Sequence, residues 1–311
     1  MTAPGASGAT AQIPRLNADP APDDLQSTYM SDTLFITLQH LLPQHLLSRG
    51  TGWLASTRIK AIKNTFIRRF AQAYDVNMAE AAEENPLAYE NFNAFFTRAL
   101  KPGARPIAAG ARVVACPADG AISQIGPITQ DRIFQAKGHD YSVATLLGGD
   151  AERARPFIGG HFATVYLSPR DYHRVHMPFT GRLREMIYVP GDLYSVNAVT
   201  AGSVDNLFAR NERLVCVFDT AAGPMAVVLV GAMIVAGIAT VWAGDIRPHG
   251  RNVTISNYQH QNIVLQKGDE LGRFYLGSTA IVLFGPDVVT WKESLAAGTP
   301  VRMGEAFGDL R

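Results

Sequence analysis

The run from Thr220 to Gly244 constrains the chain most, because it contains no charged residue. It is as long as a membrane-spanning helix, which usually needs about 20 apolar residues. Its pattern is wrong for such a helix. Val227-Val228-Leu229-Val230 and Ile234-Val235-Ala236 are β-branched runs, and Gly223-Pro224, Gly231 and Gly237 interrupt them. Short apolar runs bounded by turn residues suit strands buried on both faces, so this stretch predicts two buried strands joined by a turn. The same pattern recurs beyond Pro106, at Val113-Val114, Ala163 to Leu167, Leu214 to Phe218, Ile263 to Leu265 and Ala280 to Phe284. The expected fold class is therefore α+β: N-terminal amphipathic helices followed, over residues 75–311, by a mostly antiparallel β domain of barrel or sandwich type.

The N-terminal part has a different character. Met1 to Asp24 is rich in Ala, Pro and Gly and lacks the continuous apolar segment of an export signal, so residues 1–29 are expected to form a disordered extension. From Thr33 to Tyr74 no acidic residue occurs, whereas Arg49, Arg58, Lys60, Lys63, Arg68 and Arg69 are basic. Leu34, Leu38, Leu41 and Leu42 form one apolar stripe ending near Pro43, and Ile59, Ile62, Phe66, Phe70 and Tyr74 form a second, with Trp53 expected between the two helices. Basic amphipathic helices over residues 30–74 suit an anionic bilayer surface; the same pattern also builds a helical pair packed on a core. The net charge of +1 gives no electrostatic footprint for nucleic acid. Two cysteines, Cys116 and Cys216, make no disulfide framework and fit a reducing compartment as small buried hydrophobes.

Three separated segments carry candidate chemistry. Asp171-Tyr172-His173-Arg174-Val175-His176 follows a strand-like run and a Ser168-Pro169 break, so it belongs to a loop at a strand end. Its histidines suit proton transfer better than metal binding, because no glutamate stands between them in a zinc-binding arrangement. Cys116-Pro117-Ala118-Asp119-Gly120 places a carboxylate in a turn. Near the C-terminus Gly277-Ser278 precedes the last long apolar run, and a serine after glycine can turn its hydroxyl onto the preceding carbonyl. Asp119, a histidine and Ser278 supply the side-chain types of an Asp-His-Ser triad. Position 280 is alanine, so the Gly-x-Ser-x-Gly elbow of ordinary α/β-hydrolases is missing.

These motifs, in this order, resemble bacterial phosphatidylserine decarboxylases. The resemblance rests on Leu276-Gly277-Ser278-Thr279, Pro117-Ala118-Asp119-Gly120 and Tyr166 to Pro178, with further support from Phe92 to Arg98, Ala136 to His139, Tyr188 to Leu193, Asn206 to Arg213 and Val241 to Gly244. It implies that the proenzyme cuts itself between Gly277 and Ser278, leaving a β chain of residues 1–277 and an α chain of 278–311. Ser278 attacks the Gly277 carbonyl, the resulting ester is lost by β-elimination, and hydrolysis of the dehydroalanine leaves a covalent pyruvoyl cofactor and ammonia. That ketone then forms a Schiff base with the amine of phosphatidylserine and accepts the electrons of the departing carboxylate, giving phosphatidylethanolamine and CO2 without pyridoxal phosphate. By position in the motifs, Asp119 orients His176, His176 is the base for Ser278 and later reprotonates the product, and His173 supports decarboxylation. The resemblance further implies a homodimer of processed protomers attached peripherally to the cytoplasmic side of the cell membrane, with no metal. A membrane-associated serine hydrolase using Asp119, His176 and Ser278 without self-cleavage is the alternative.

Overall fold

The computed structural model describes residues 44–232, 237–246, 250–275 and 278–311, with side chains from residue 50 onward except at 198. The expected tail 1–29, the Leu34 to Leu42 stripe, Ile234 to Ala236 and the Leu276-Gly277 pair lie outside the described residues.

Helix α1 (Gln44–Ser56) starts directly after Pro43, and α2 (Lys60–Ala73) follows a short break. Trp53 was expected between helices, but it lies inside α1 and is 65% exposed. The helix runs through Gly50 and Gly52, each of which costs only about 1 kcal/mol relative to alanine. Helix α2 turns its apolar stripe onto the one-turn helix α3 (Phe92–Phe96), whose first turn is capped by the Asn91 side chain accepting from the Ala94 amide at 2.9 Å. Phe66 stacks on Phe92 at 4.3 Å, and Phe70 meets Phe92, Phe95 and Phe96 edge-on. Lys63, expected among the membrane-facing cations, is buried and donates to the Leu87 and Tyr89 carbonyls at 2.8 and 2.5 Å. This pair of carbonyls ties α2 to the loop that leads into α3.

The β part is built from strands β1 (Val113–Ala115), β2 (Gly120–Pro127), β3 (Arg132–Ala136), β4 (His139–Ser142), β5 (His161–Leu167), β6 (Arg174–His176), β7 (Gly181–Val189), β8 (Arg213–Thr220) and β9 (Gly223–Gly231). It continues with β10 (Ile238–Thr240), β11 (Gly244–Ile246), β12 (Thr254–Asn257), β13 (Val264–Leu265), β14 (Glu270–Phe274), β15 (Ser278–Phe284), β16 (Val289–Trp291), β17 (Pro300–Val301) and β18 (Ala306–Leu310). The large sheet runs β12-β7-β8-β9-β15-β5-β2-β17 with β13 also on β7, and every pairing in it is antiparallel. Among the described residues it stays open, ending at β12 and β17, so the architecture is sandwich-like and not a closed barrel.

The predicted runs 163–167, 214–218, 227–230 and 280–284 land in this sheet, 264–265 pairs with its β7, and Val113-Val114 forms β1 of the smaller β1-β18-β16 sheet. Val227 to Val230 is the fully buried middle of β9, and Ala280 to Phe284 is the body of β15, every residue of which is buried. No helix of the described residues is long and apolar enough to cross a membrane. Alternate residues of the central strands, such as Val165, Val227, Leu229, Ala280, Val282 and Phe284, share one core with Val175, Leu271 and Phe274 of the β11-β10-β14-β6 sheet and with Phe307 and Leu310 of the β1-β18-β16 sheet. The residues between them are buried as well, which explains why these strands read as continuous rather than alternating apolar runs.

One glycine is required by close approach. A Cβ on Gly120 would lie 2.1 Å from the Tyr166 carbonyl oxygen, where β2 begins its pairing with β5. Gly120→Ala is expected to destabilise the fold by about 3 kcal/mol, because the clash is with main chain that cannot swing away. A thermal or denaturant melt compared with wild type measures it.

Candidate active site

Sheet topology gathers the three candidate segments at one end. Ser278, the first residue of β15, faces Leu167 at the end of β5 and Gly231 at the end of β9. Asp119 immediately precedes β2, whose Ala121 faces Tyr166. The histidine loop leaves β5 after Leu167, and β6 then pairs with β14, the strand that leads toward Ser278.

The loop is locked before it reaches the histidines. The Asp171 carboxylate accepts from the Ser168 amide at 2.7 Å, and the Asp171 amide donates back to the Ser168 carbonyl at 2.9 Å. The backbone bond closes a β-turn over residues 168–171, and the Asp171 side chain reaches back to the amide at its start. His173 is fully buried, with its ring 4.0 Å from the Phe96 ring centroid and its backbone carbonyl accepting from the Phe274 amide at 3.1 Å. Its Nδ1 lies 2.9 Å from the Asp171 carbonyl, so Nδ1 carries the proton and Nε2 is a bare acceptor, which has no partner among the described residues. Burial lowers its pKa to about 3, assisted by the Arg98 charge.

His176 is held the same way. Its Nδ1 donates to the Gly268 carbonyl at 2.8 Å, and its Nε2 accepts from the Tyr172 hydroxyl at 3.0 Å. Its backbone amide donates to the Pro117 carbonyl at 2.8 Å, which joins the histidine loop to the turn that carries Asp119. Burial lowers the His176 pKa below the ordinary imidazole range, opposed by the Gly268 carbonyl and by the charges of Glu270 and Asp119. The Tyr172 phenol is pushed up to about 12 by its own burial.

Asp119 is 6% exposed, and its direct partners are not the histidines. Both of its oxygens accept from Arg105, at 2.5 to 3.0 Å, and Oδ1 also accepts from the Met303 amide at 2.8 Å. Arg105 extends to Glu80 at 2.8 Å, and these carboxylates raise its pKa further above the usual guanidinium value. Asp119 therefore acts on His176 through its charge and through the shared turn. Ser278 is fully buried, and its hydroxyl oxygen has no partner among the described residues. Leaving a buried hydroxyl unsatisfied costs about 1–3 kcal/mol, which is unusual for a serine whose role is only structural.

The structure also brings in residues that the sequence did not single out. Arg105, Tyr172 and the Gly268 carbonyl have no periodicity or motif chemistry of their own, although Tyr172 sits within the histidine segment. Arg174 pairs with Glu270 at 2.8 Å and donates to the Thr97 carbonyl at 2.9 Å. Cys116 and Cys216 are both buried, and burial raises both thiols. A cleft of about 580 Å³ opens beside the site, with Arg98, Arg105, Asp119, Gly120, Arg170 and Tyr172 on its wall.

Comparison with known proteins identifies the family. The family described as phosphatidylserine decarboxylase matches residues 92–309, and a second profile described as PSD matches residues 34–75. A phosphatidylserine decarboxylase proenzyme of Bordetella avium is 62% identical over 279 residues, covering 89% of this chain and 95% of its own. The proenzyme of Pseudomonas entomophila is 63% identical over 279 residues, covering 89% and 97% respectively. That of Ectopseudomonas mendocina is 61% identical over 285 residues, covering 91% of this chain and 100% of its own. With a family match over most of its length and relatives this close, the chain belongs to the phosphatidylserine decarboxylase family.

Proposed function

We propose that this chain is a proenzyme that cuts itself between Gly277 and Ser278 and then decarboxylates phosphatidylserine to phosphatidylethanolamine through a pyruvoyl group made from Ser278. The observation that carries this reading is the buried, unpartnered Ser278 hydroxyl at the first position of the central strand, in a chain whose relatives are named proenzymes. The hydrolase alternative loses its ground, because those relatives carry a decarboxylase name.

The residues present fit the maturation chemistry. With Nδ1 protonated by virtue of the Gly268 carbonyl, neutral His176 offers Nε2 as a base. To take the Ser278 proton, Nε2 must exchange the Tyr172 hydroxyl for that of Ser278. The Ser278 oxygen then attacks the Gly277 carbonyl carbon, the C–N bond breaks, and the amide nitrogen receives the proton. Removal of the Ser278 Cα proton expels the acyl oxygen, so the Gly277 carboxylate leaves and residue 278 becomes the end of the new α chain. When formed, the pyruvoyl group supplies an electron sink for loss of CO2. His173 and Phe96 form a dry wall there, and His176 delivers the proton that replaces the carboxylate. Negative charge on Asp119 and Glu270 favours the imidazolium that forms when His176 takes a proton.

Peripheral membrane attachment belongs to the same proposal, because the substrate is a lipid. Trp53 is 65% exposed and Ile59 56%, and Arg68 and Arg69 of α2 are exposed as well, a combination of apolar and basic surface that suits an anionic interface.

Three outcomes test this reading. On a denaturing gel, His176→Ala and Ser278→Ala should remain as single folded chains, whereas His173→Ala should yield the small C-terminal fragment but turn over at least about 100-fold more slowly; normal cleavage of His176→Ala refutes the assignment. Because a base works only when neutral, and burial lowers the His176 pKa below the ordinary histidine value of about 6.5, the decline of the cleavage rate with falling pH should be centred below that value. A drop centred near 6.5 would show an imidazole in contact with water. The combined Trp53→Ala and Ile59→Ser variant should sediment with phosphatidylserine-containing vesicles about 10-fold less well while retaining activity on detergent-dispersed substrate.

A further inference from the structure

Arg98 is the most unusual charged side chain outside the maturation machinery. It is 4% exposed, and among the described residues no carboxylate pairs with it. Its Nη2 donates to the Arg170 carbonyl at 3.1 Å and more weakly to the Asp171 carbonyl at 3.5 Å, while Nε and Nη1 are buried with no partner among the described residues. The guanidinium lies 5.9 Å from the Phe95 ring centroid and forms part of the cleft wall. A buried guanidinium with unused donors is costly to keep unless an anion satisfies it in the working state. The other cations of this wall are spoken for or differ in kind. Arg105 is committed to Asp119 and Glu80, and Arg302 stands 3.7 Å from Glu80. Arg170 is exposed at the cleft and makes no ion pair of its own among the described residues.

Resting on the decarboxylase reading above, we propose that Arg98 and Arg170 seat the phosphodiester of the aminophospholipid, and so are specificity-determining residues of the reaction. Two negative groups of phosphatidylserine compete for such a site, and the chemistry separates them. A carboxylate that must leave as neutral CO2 gains nothing from a strong cation, because stabilising the ground-state charge raises the barrier. The phosphodiester keeps its charge throughout, so binding energy spent on it holds the substrate without opposing the reaction. Placement agrees. The carbonyls of Arg170 and Asp171, which hold Arg98, lie in the loop between Leu167, the register partner of Ser278, and His173, whose ring packs on Phe96. Arg98 thus lies in the wall of a cleft that it shares with Asp119, Gly120 and Tyr172 of the candidate site.

Equilibrium binding on uncleaved protein separates this proposal from its parent. Full-length Ser278→Ala chain is titrated with monomeric short-chain phosphatidylserine and short-chain phosphatidylethanolamine by calorimetry, alone and combined with Arg98→Gln or Arg170→Ala. The expected result is a loss of affinity for both lipids alike, about 10-fold for Arg170→Ala and about 100-fold for Arg98→Gln. Competition by inorganic phosphate would show that the seat takes phosphate from any source; its absence alongside weakened lipid binding would assign the seat to the lipid headgroup. Weakening confined to phosphatidylserine would place the carboxylate at Arg98 and overturn the proposal. So would undiminished binding by both variants, or no binding to the Ser278→Ala chain. If Arg98→Gln does not fold, Arg170→Ala decides, since its side chain is exposed. Wild-type protein that fails to cleave or decarboxylate, while the arginine variants still lose binding, would refute the parent reading and leave this one standing.

Discussion

The seven-residue register of β15 between β5 and β9 is the constraint on which the site depends. It brings Ser278 level with Leu167 and Gly231, so the serine begins a strand that is already immobilised on both sides. Antiparallel pairing then does the gathering. The end of β5, the beginning of β2 and the beginning of β15 share one end of the sheet, and the loop leaving β5 has no choice but to carry its histidines there. A one-residue slip would turn every side chain of β15 to the opposite face, and both faces are buried, so the packing that stabilises the sheet also specifies where Ser278 points.

Backbone carbonyls, and not carboxylates, set the two histidines. Both rings give Nδ1–H to a carbonyl, Asp171 for one and Gly268 for the other, and both therefore keep Nε2 as the basic nitrogen. Their surroundings then divide them. His173, sealed against Phe96 with its pKa lowered to about 3, stays neutral under any physiological condition and is an acceptor and a wall. His176 is less fully buried and feels Glu270 and Asp119, so it can cycle through its cationic form. One motif thus supplies two imidazoles of the same tautomer in different electrostatic surroundings.

The sequence made the sheet legible for a physical reason. Strands buried on both faces must be apolar at consecutive positions, so Val227 to Val230 and Ala280 to Phe284 announce themselves, as do the glycine and proline breaks between them. The active-site segments were legible because their residue types are chemically rare in combination. What sequence could not show was pairing between distant segments. Asp119 looked like a histidine partner, but Arg105 and the Met303 amide take its oxygens, a consequence of how the loop before β1 packs against the turn before β18. Lys63 looked like a surface cation within a basic helix, yet it closes on two carbonyls of the following loop. Charge runs and periodicity are properties of one segment, and neither encodes which partner a buried ion will meet.

The same topology explains how a chain can be cut at the entrance to its central strand and remain a folded protein. All of β15 to β18 lies after Gly277, and each joins the other part of the chain directly or through a neighbour: β15 to β5 and β9, β17 to β2, β18 to β1, and β16 to β18. Ile281, Val282, Leu283 and Phe284 are fully buried, each contributing roughly 1.5–3 kcal/mol on burial. A cut before Ser278 removes one covalent link and none of these contacts. A break inside β15 would instead interrupt a ladder hydrogen-bonded on both sides. The first residue of the strand is thus a position where a chain break and fold stability need not conflict, because the segment from Ser278 onward is held to β5, β9, β2 and β1 by pairing and burial and not by its covalent link to residue 277.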